Sequence, residues 1–377
     1  MRKARIPQKM TRHSERADAQ LTVDLDALTR NYRLLKSRIG GARCAAVVKA
    51  DAYGLGMHEV VSALIRDGCD SFFVATLDEA MALRERVPGV FVGVFNGVTD
   101  AHHKVFKSQS LIPVINTLGQ LATWRAQASG SPPHAAILHV DTGMCRLGLT
   151  SGEVALLADE PDRLNGVDVV LIMSHLACAD DAEQPMNNAQ REAFAEARKR
   201  LPAAPASLAN SSGIFLGEAY HFDLVRPGAA LYGINPTPGR PNPMAEVVRL
   251  RAKIIQVRDV DRPQTVGYGA AHRVSGPSRI ATIPVGYADG LLRNLGGRGR
   301  AAIGEALVPI VGRVSMDLVT LDVTKLPATA ARPGVMVDLI GGPLSLDSVA
   351  ESAGTIGYEI LTRLGQRLQR QYVGGGR

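Results

Sequence analysis

The sequence predicts an α/β protein: an N-terminal (β/α)8 barrel of the TIM type followed by a mainly β C-terminal domain. Three observations carry that expectation. Between residues 44 and 225, eight short apolar runs each lead into polar or glycine-bearing residues and then, usually, into a helix-like segment, the pattern of repeated βα units around a parallel sheet. A stretch with four prolines in ten residues, 235–244 (NPTPGRPNPM), stops helix and strand alike and marks a boundary. Beyond it the apolar runs are β-rich, with no long helices between them.

Taken in order, residues 1–20 (MRKARIPQKMTRHSERADAQ) are basic and poor in apolar side chains, and read as a flexible solvated tail. The barrel is placed at 21–243. Its strands are read at 44–48, 72–75, 90–95, 112–115, 136–140, 167–173, 206–208 and 223–225. Segments 58–66 and 187–200 repeat apolar residues every three to four positions beside a charged face, as the outer helices of a barrel do. One barrel absorbs about 250 residues, so a chain of 377 leaves room for a second domain, placed at 244–377. Its runs are 247–257, 279–284, 306–311, 318–323 and 336–340. Ser345 then starts a short helix that Gly354 ends, and Thr355 caps a final helix running towards Tyr372. Residues 21–23 read as a strand able to pair with this second domain.

Composition excludes several classes. Apolar residues make up 46% and charged residues 21%, the usage of ordinary globular proteins and not of disordered or fibrous ones. The net charge of +7 is concentrated towards the two ends of the chain, so it reads as solvated charge and no nucleic-acid partner is expected. The N-terminus lacks the apolar core of a signal peptide, and no later run of about 18 apolar residues could span a bilayer. Cytoplasmic residence without membrane association is the expectation. Cys44, Cys69, Cys145 and Cys178 form no CxxC pair and are too sparse for a disulfide framework, so reduced thiols are expected.

In a barrel of this kind the chemistry sits where the C-terminal strand ends converge. Lys49 stands directly after the first strand, in AAVVKADAYGLG. A partly desolvated lysine there has a lowered pKa and a free amine for Schiff-base chemistry, although a lone lysine after a strand is more often a plain surface residue. The later strand ends run into HVDTGMCRLG, MSHLACAD, LANSSG and VRPGAALYG, and the second domain adds VGYGAAHR, IPVGYADG and VGRVSMD. With these motifs in this order, the chain from about Leu21 to its C-terminus resembles the alanine racemases.

That resemblance implies pyridoxal 5′-phosphate as cofactor, no metal, and interconversion of L- and D-alanine. Lys49 matches the lysine that carries the cofactor and acts as one catalytic base. Tyr53, Ser211 and the backbone amides near Gly228 and Ala229 match the cup for the cofactor phosphate, which suits hydroxyls and glycine-opened N–H groups. Arg226 matches the arginine that faces the pyridine nitrogen, and His175 the histidine bonded to it. A guanidinium does not give up its proton, so the ring nitrogen stays unprotonated and reprotonation is favoured over transamination. Tyr268 matches the second catalytic base. A phenol is a poor base at neutral pH and needs cationic neighbours, a role that falls to Arg146, which also meets the substrate carboxylate. Tyr287, Met316 and Asp317 match residues that, with Tyr268, come from the partner subunit, so a homodimer with shared sites is implied. The product would supply D-alanine for peptidoglycan.

The sequence departs from the family at three places. His139 stands where many members have a carbamylated lysine that orients the arginine, Cys145 replaces a glycine before Arg146, and Gln366 stands where many members have a phosphate-binding tyrosine. None of the three touches Lys49, Tyr268 or Arg226. Related decarboxylases of basic amino acids share the architecture, but they use a second-domain cysteine motif absent here and a carboxylate opposite the ring nitrogen. A non-catalytic cofactor-binding barrel lacks the second domain and any residue matching Tyr268.

Overall fold

The computed structural model describes residues 18–126 and 133–376, so the basic tail lies outside the described residues apart from its last three. The chain divides into two compact units: residues 18–24 with Glu246–Gly374, and Leu25–Ala245 with residues 375–376. Residues 21–24, placed in the barrel by the sequence, thus belong to the β unit, and the division falls after Ala245.

In the larger unit, Ala46–Val47, Ser71–Val74, Phe91–Val94, Ile112–Ile115, His134–His139, Val167–Met173 and Ala206–Ser207 form a seven-stranded parallel sheet in chain order. The eighth run, Leu224–Val225, pairs in parallel with Arg43–Cys44, which leads straight into Ala46–Val47. Backbone bonds close the ring. Ala45 N donates to Val225 O and Val47 N to Pro227 O on one side, while Asp223 N donates to Ala206 O and Arg226 N to Ala209 O on the other, all at 2.9–3.0 Å. Strands covered on both faces read as unbroken apolar runs, and all four residues of Ser71–Val74 are buried. Gly93 has no room for a side chain: a Cβ there would lie 2.5 Å from Phe73 Cε1.

The outer helices follow their apolar spacing. Met57–Arg66 buries Val60, Val61, Ala63 and Leu64, and Leu77–Arg86 begins with a capping box between Thr76 and Glu79. Pro185–Arg200 starts on a proline, which needs no N–H in a first turn, and buries Asn187, Gln190 and Phe194.

The β unit holds a nine-stranded sheet in the order Gln256–Val260, Ser278–Ile283, Val319–Asp322, Ala306–Val311, Arg300–Ile303, Met336–Ile340, Val248–Lys253, Ala19–Asp24, Gln369–Val373. Ala19–Asp24 runs antiparallel to Val248–Lys253 and parallel to Gln369–Val373. Its Leu21 and Val23 are fully buried, each contributing about 1.5–3 kcal/mol.

The last segment corrects the sequence reading. Ser345 does cap Leu346–Ala353 through its Oγ, and Gly354 closes it in the left-handed region. The following helix is only Gly357–Arg363, with Ile356 at its N-cap, because the Thr355 hydroxyl bonds the Glu359 carboxylate instead of a backbone N–H. Residues 369–373 form a strand because pairing with Ala19–Asp24 outweighs their helical pattern.

Candidate active site

At the end of the first barrel strand the chain makes an unusual turn. Lys49–Gly54 is helical in outline, but Ala50, Asp51, Ala52 and Tyr53 all have φ between +53° and +57°, one turn of left-handed helix without a glycine among the four. Such backbone costs about 1–2 kcal/mol per residue and persists only where the surroundings hold it. Two carboxylates do so. Glu79 accepts from Ala50 N (2.7 Å) and Ala75 N (2.8 Å), and Asp51 accepts from Met57 N (2.7 Å). Lys49 thereby stands at the barrel mouth. Its pKa is lowered, first by partial burial of the ammonium and then by the Arg146 charge, with Glu79 acting in the opposite sense. The residue as a whole is exposed, so the amine combines access with a reduced hold on its proton.

The same turn brings Tyr53 against a second group of polar atoms. Ser211 Oγ accepts from Gly228 N (3.0 Å) and Ala230 N (3.1 Å), and a Cβ on Gly228 would fall 2.3 Å from Tyr53 Oη. Only glycine allows backbone and phenol to approach so closely. Gly228 precedes the short 3-10 helix Ala229–Tyr232, and Tyr53 packs on Tyr232 with ring centroids 4.7 Å apart. Two hydroxyls and glycine-opened amides suit a phosphate ester.

Arg226, 3% exposed, donates to Ser207 Oγ and to the Ser174 carbonyl (2.5 Å). Burial pulls its pKa down to about 9, which leaves it protonated at neutral pH. Two histidines near it are neutral. Burial, then the Arg226 charge, lowers His139 to about 4 and His175 to about 3. The His139 tautomer is fixed as well: Asn116 Nδ2 donates to the carbonyls of Phe95 (2.9 Å) and Val114 (3.0 Å), so its Oδ1 faces His139 Nδ1 at 2.8 Å and Nδ1 carries the proton.

Arg146 is exposed on the loop after the fifth strand. Asp141 organises that loop by accepting from the backbone N–H groups of Gly143, Met144 and Cys145 at 2.9–3.2 Å. Cys145 sits at φ +54°, a left-handed conformation that glycine adopts more readily than cysteine. Gln190, buried in the helix Pro185–Arg200, ties this loop to the next: its amide accepts from Ala177 N (2.9 Å) and donates to His175 O (2.9 Å) and Thr142 Oγ1 (3.3 Å).

The β unit carries the remaining residues singled out by sequence. Tyr268 opens a 3-10 turn, Tyr268–Ala270, between the hairpin strands Gln264–Val266 and His272–Val274, and is 71% exposed. The Arg313 guanidinium lies against Gly269 beside it. Tyr287 and Met316 are brought together, because Tyr287 N donates to Ser315 O and Ala288 N to Met316 O, each at 3.0 Å. The Asp317 carboxylate is engaged by Arg367 (2.6 Å). Gln366 is exposed.

The comparisons decide the family. A family model for the alanine racemase N-terminal domain matches residues 23–236, and one for the alanine racemase C-terminal domain matches residues 247–372. The chain belongs to the alanine racemase family. An alanine racemase of Rhodospirillum rubrum is 50% identical over 365 residues, 96% of this chain and 98% of that protein. A catabolic alanine racemase of Mesorhizobium japonicum is also 50% identical, over 95% of this chain and 94% of its own. Among solved structures, alanine racemase from Bartonella henselae with covalently bound pyridoxal phosphate superposes with a TM-score of 0.92 at 39% identity, covering 95% of this chain and all of that one.

Within this alanine racemase fold, Lys49, Tyr53, Arg146, His175, Ser211, Arg226, Gly228 and Ala229 all follow C-terminal ends of barrel strands. Sequence reasoning missed Glu79, Gln190 and Arg367, whose roles depend on partners far away in the chain. Only the Thr76–Glu79 capping signature could have drawn attention to one of them.

Proposed function

We propose that this protein interconverts L-alanine and D-alanine by a two-base mechanism with pyridoxal 5′-phosphate, Lys49 and Tyr268 being the bases. The observation that carries the reading is the lowered pKa of Lys49 beside the Ser211–Gly228–Tyr53 cradle, in a member of this family. The donor set fits the cofactor: hydroxyls and amides for a phosphate, an amine for an aldehyde, and a buried cation for a ring nitrogen. Lys49 would hold the cofactor covalently, Tyr53, Ser211, Gly228 and Ala229 its phosphate, and Arg226 its ring nitrogen. When bound, it supplies a sink for the electron pair left on the substrate Cα.

The chain's own residues do the rest. Arg226 keeps its proton, so the sink stays weak and return of a proton to Cα is favoured over transamination. His175 and His139 are neutral and add no charge next to it. Because His139 is neutral, no carboxylate-like charge competes at that position for Arg146, which takes the substrate carboxylate as its counter-ion. Lys49 moves a proton on one face of Cα and Tyr268 on the other.

Two copies pair so that the Tyr268, Tyr287, Met316 and Asp317 of one serve the barrel of the other; their exposure on the β unit supports this. Among the described residues no helix is long and apolar enough to cross a membrane, and we place the enzyme in the cytoplasm, supplying D-alanine for peptidoglycan. The test is conversion of L-alanine by purified protein with cofactor, read by chiral chromatography. D-Alanine accumulating towards equal amounts supports the proposal. Untouched alanine with turnover of serine or lysine would move it to another racemase substrate.

A further inference from the structure

Arg367 lies outside every motif singled out from the sequence, yet its one guanidinium joins three loops of the β unit. Nε and Nη2 hold the two oxygens of Asp289 at 2.9 and 2.8 Å, and Nη1 holds Asp317 Oδ1 at 2.6 Å. Asp289 is buried and also accepts from Gly286 N (2.9 Å), closing the turn that carries Tyr287. The segment before Arg367 is pressed on the same turn: Gly365 N donates to Asp289 O (3.0 Å), and a Cβ on Gly290 would lie 2.3 Å from Arg363 O.

The Tyr287 turn is in turn stitched to the Met316 loop by the two backbone bonds described above, and Gly286 approaches Met316 O too closely for a side chain. Tyr287 and Met316 are themselves 44% and 53% exposed, so only about half of each residue is held by packing and the backbone anchors contribute to where they point.

We infer that Arg367 is a positioning residue that sets the Tyr287 turn against the Met316–Asp317 loop and so shapes the substrate-binding edge of the β unit. The inference rests on the proposed roles of Tyr287, Met316 and Asp317. The planar fork is essential, because a lysine ammonium cannot satisfy two carboxylates along three fixed directions. The Asp317 arm is half exposed, and a surface ion pair of that kind contributes little to stability. Its loss therefore separates positioning from folding.

The experiment compares Asp317→Asn, Arg367→Lys, Arg367→Met and the double variant in the cofactor-loaded enzyme. Each single variant is expected to raise KM for L-alanine about tenfold with kcat changed by less than about threefold. Lysine should fail to rescue, and the double variant should be no worse than the worse single. Hydrogen exchange in peptides covering residues 286–290 should rise in the same variants. If Arg367→Met lowers the melting temperature while KM and exchange in Asp317→Asn stay at wild-type values, the residue is merely structural and the inference falls. Additive KM effects also overturn it. A wild type that does not racemise alanine, but whose variants lose protection at 286–290, sustains the clamp and sinks the proposed function alone.

Discussion

At the scale of single residues, a two-base reaction depends on which side chains hold protons. Lys49 releases its proton more readily than a solvated lysine, while Arg226 keeps its own. Lys49→Ala is expected to abolish turnover together with the mass increment that borohydride fixes on the cofactor-loaded protein. Tyr268→Phe should keep the increment and lower kcat/KM by about 10²–10⁴-fold; full activity in Tyr268→Phe removes it as a base. The histidines make a second prediction. His139 and His175 titrate near 4 and 3 in the fold against an ordinary 6.5, so the unfolded chain binds more protons between those values. Stability is therefore complete above about pH 6.5 and falls as the pH drops towards 4, by up to about 1.4 kcal/mol per pH unit for each histidine. Urea unfolding of His139→Gln should show a shallower loss across that window, and an unchanged slope would contradict the assignment. The placement of Lys49 and Arg226 was legible because each follows a strand end within a recognisable motif. Glu79, Gln190 and Arg367 were not, because a carboxylate, an amide or a guanidinium gains its role only from partners that folding brings close.

At the scale of elements, eight apolar runs announced the barrel, since buried parallel strands leave an uninterrupted signature. The left-handed turn after Lys49 left no such trace: alanine, aspartate, alanine and tyrosine favour right-handed backbone, and tertiary hydrogen bonds override them. Ala50 tests this. Glycine pays no steric penalty at φ +54°, so Ala50→Gly should leave stability unchanged or raise it by about 1 kcal/mol, whereas the same change in an ordinary helix costs about that much. A loss of 1 kcal/mol or more on urea unfolding would argue that the turn is right-handed. The C-terminal strand was missed for a related reason: Gln369–Val373 has helical spacing but is captured by Ala19–Asp24, a segment some 350 residues away in sequence.

At the scale of the whole molecule, the proposed division of labour gives the barrel of one copy and the β unit of another a single reaction to share. Lys49→Ala and Tyr268→Phe homodimers should each be inactive or nearly so. Mixed under conditions that exchange subunits, they should regain activity, because half of the sites in a hybrid dimer carry neither change. No recovery, with exchange verified by native mass spectrometry, would mean that each copy completes its own site.

The most direct test of the two-base reaction is turnover of L-alanine in D₂O, with proton NMR at Cα and chiral separation of the products at early times. D-Alanine is expected to carry solvent deuterium at Cα while the remaining L-alanine keeps its proton, because one base removes the proton and another delivers its replacement. D-Alanine that retains the original proton would mean that a single group works both faces, and would contradict the two-base reaction.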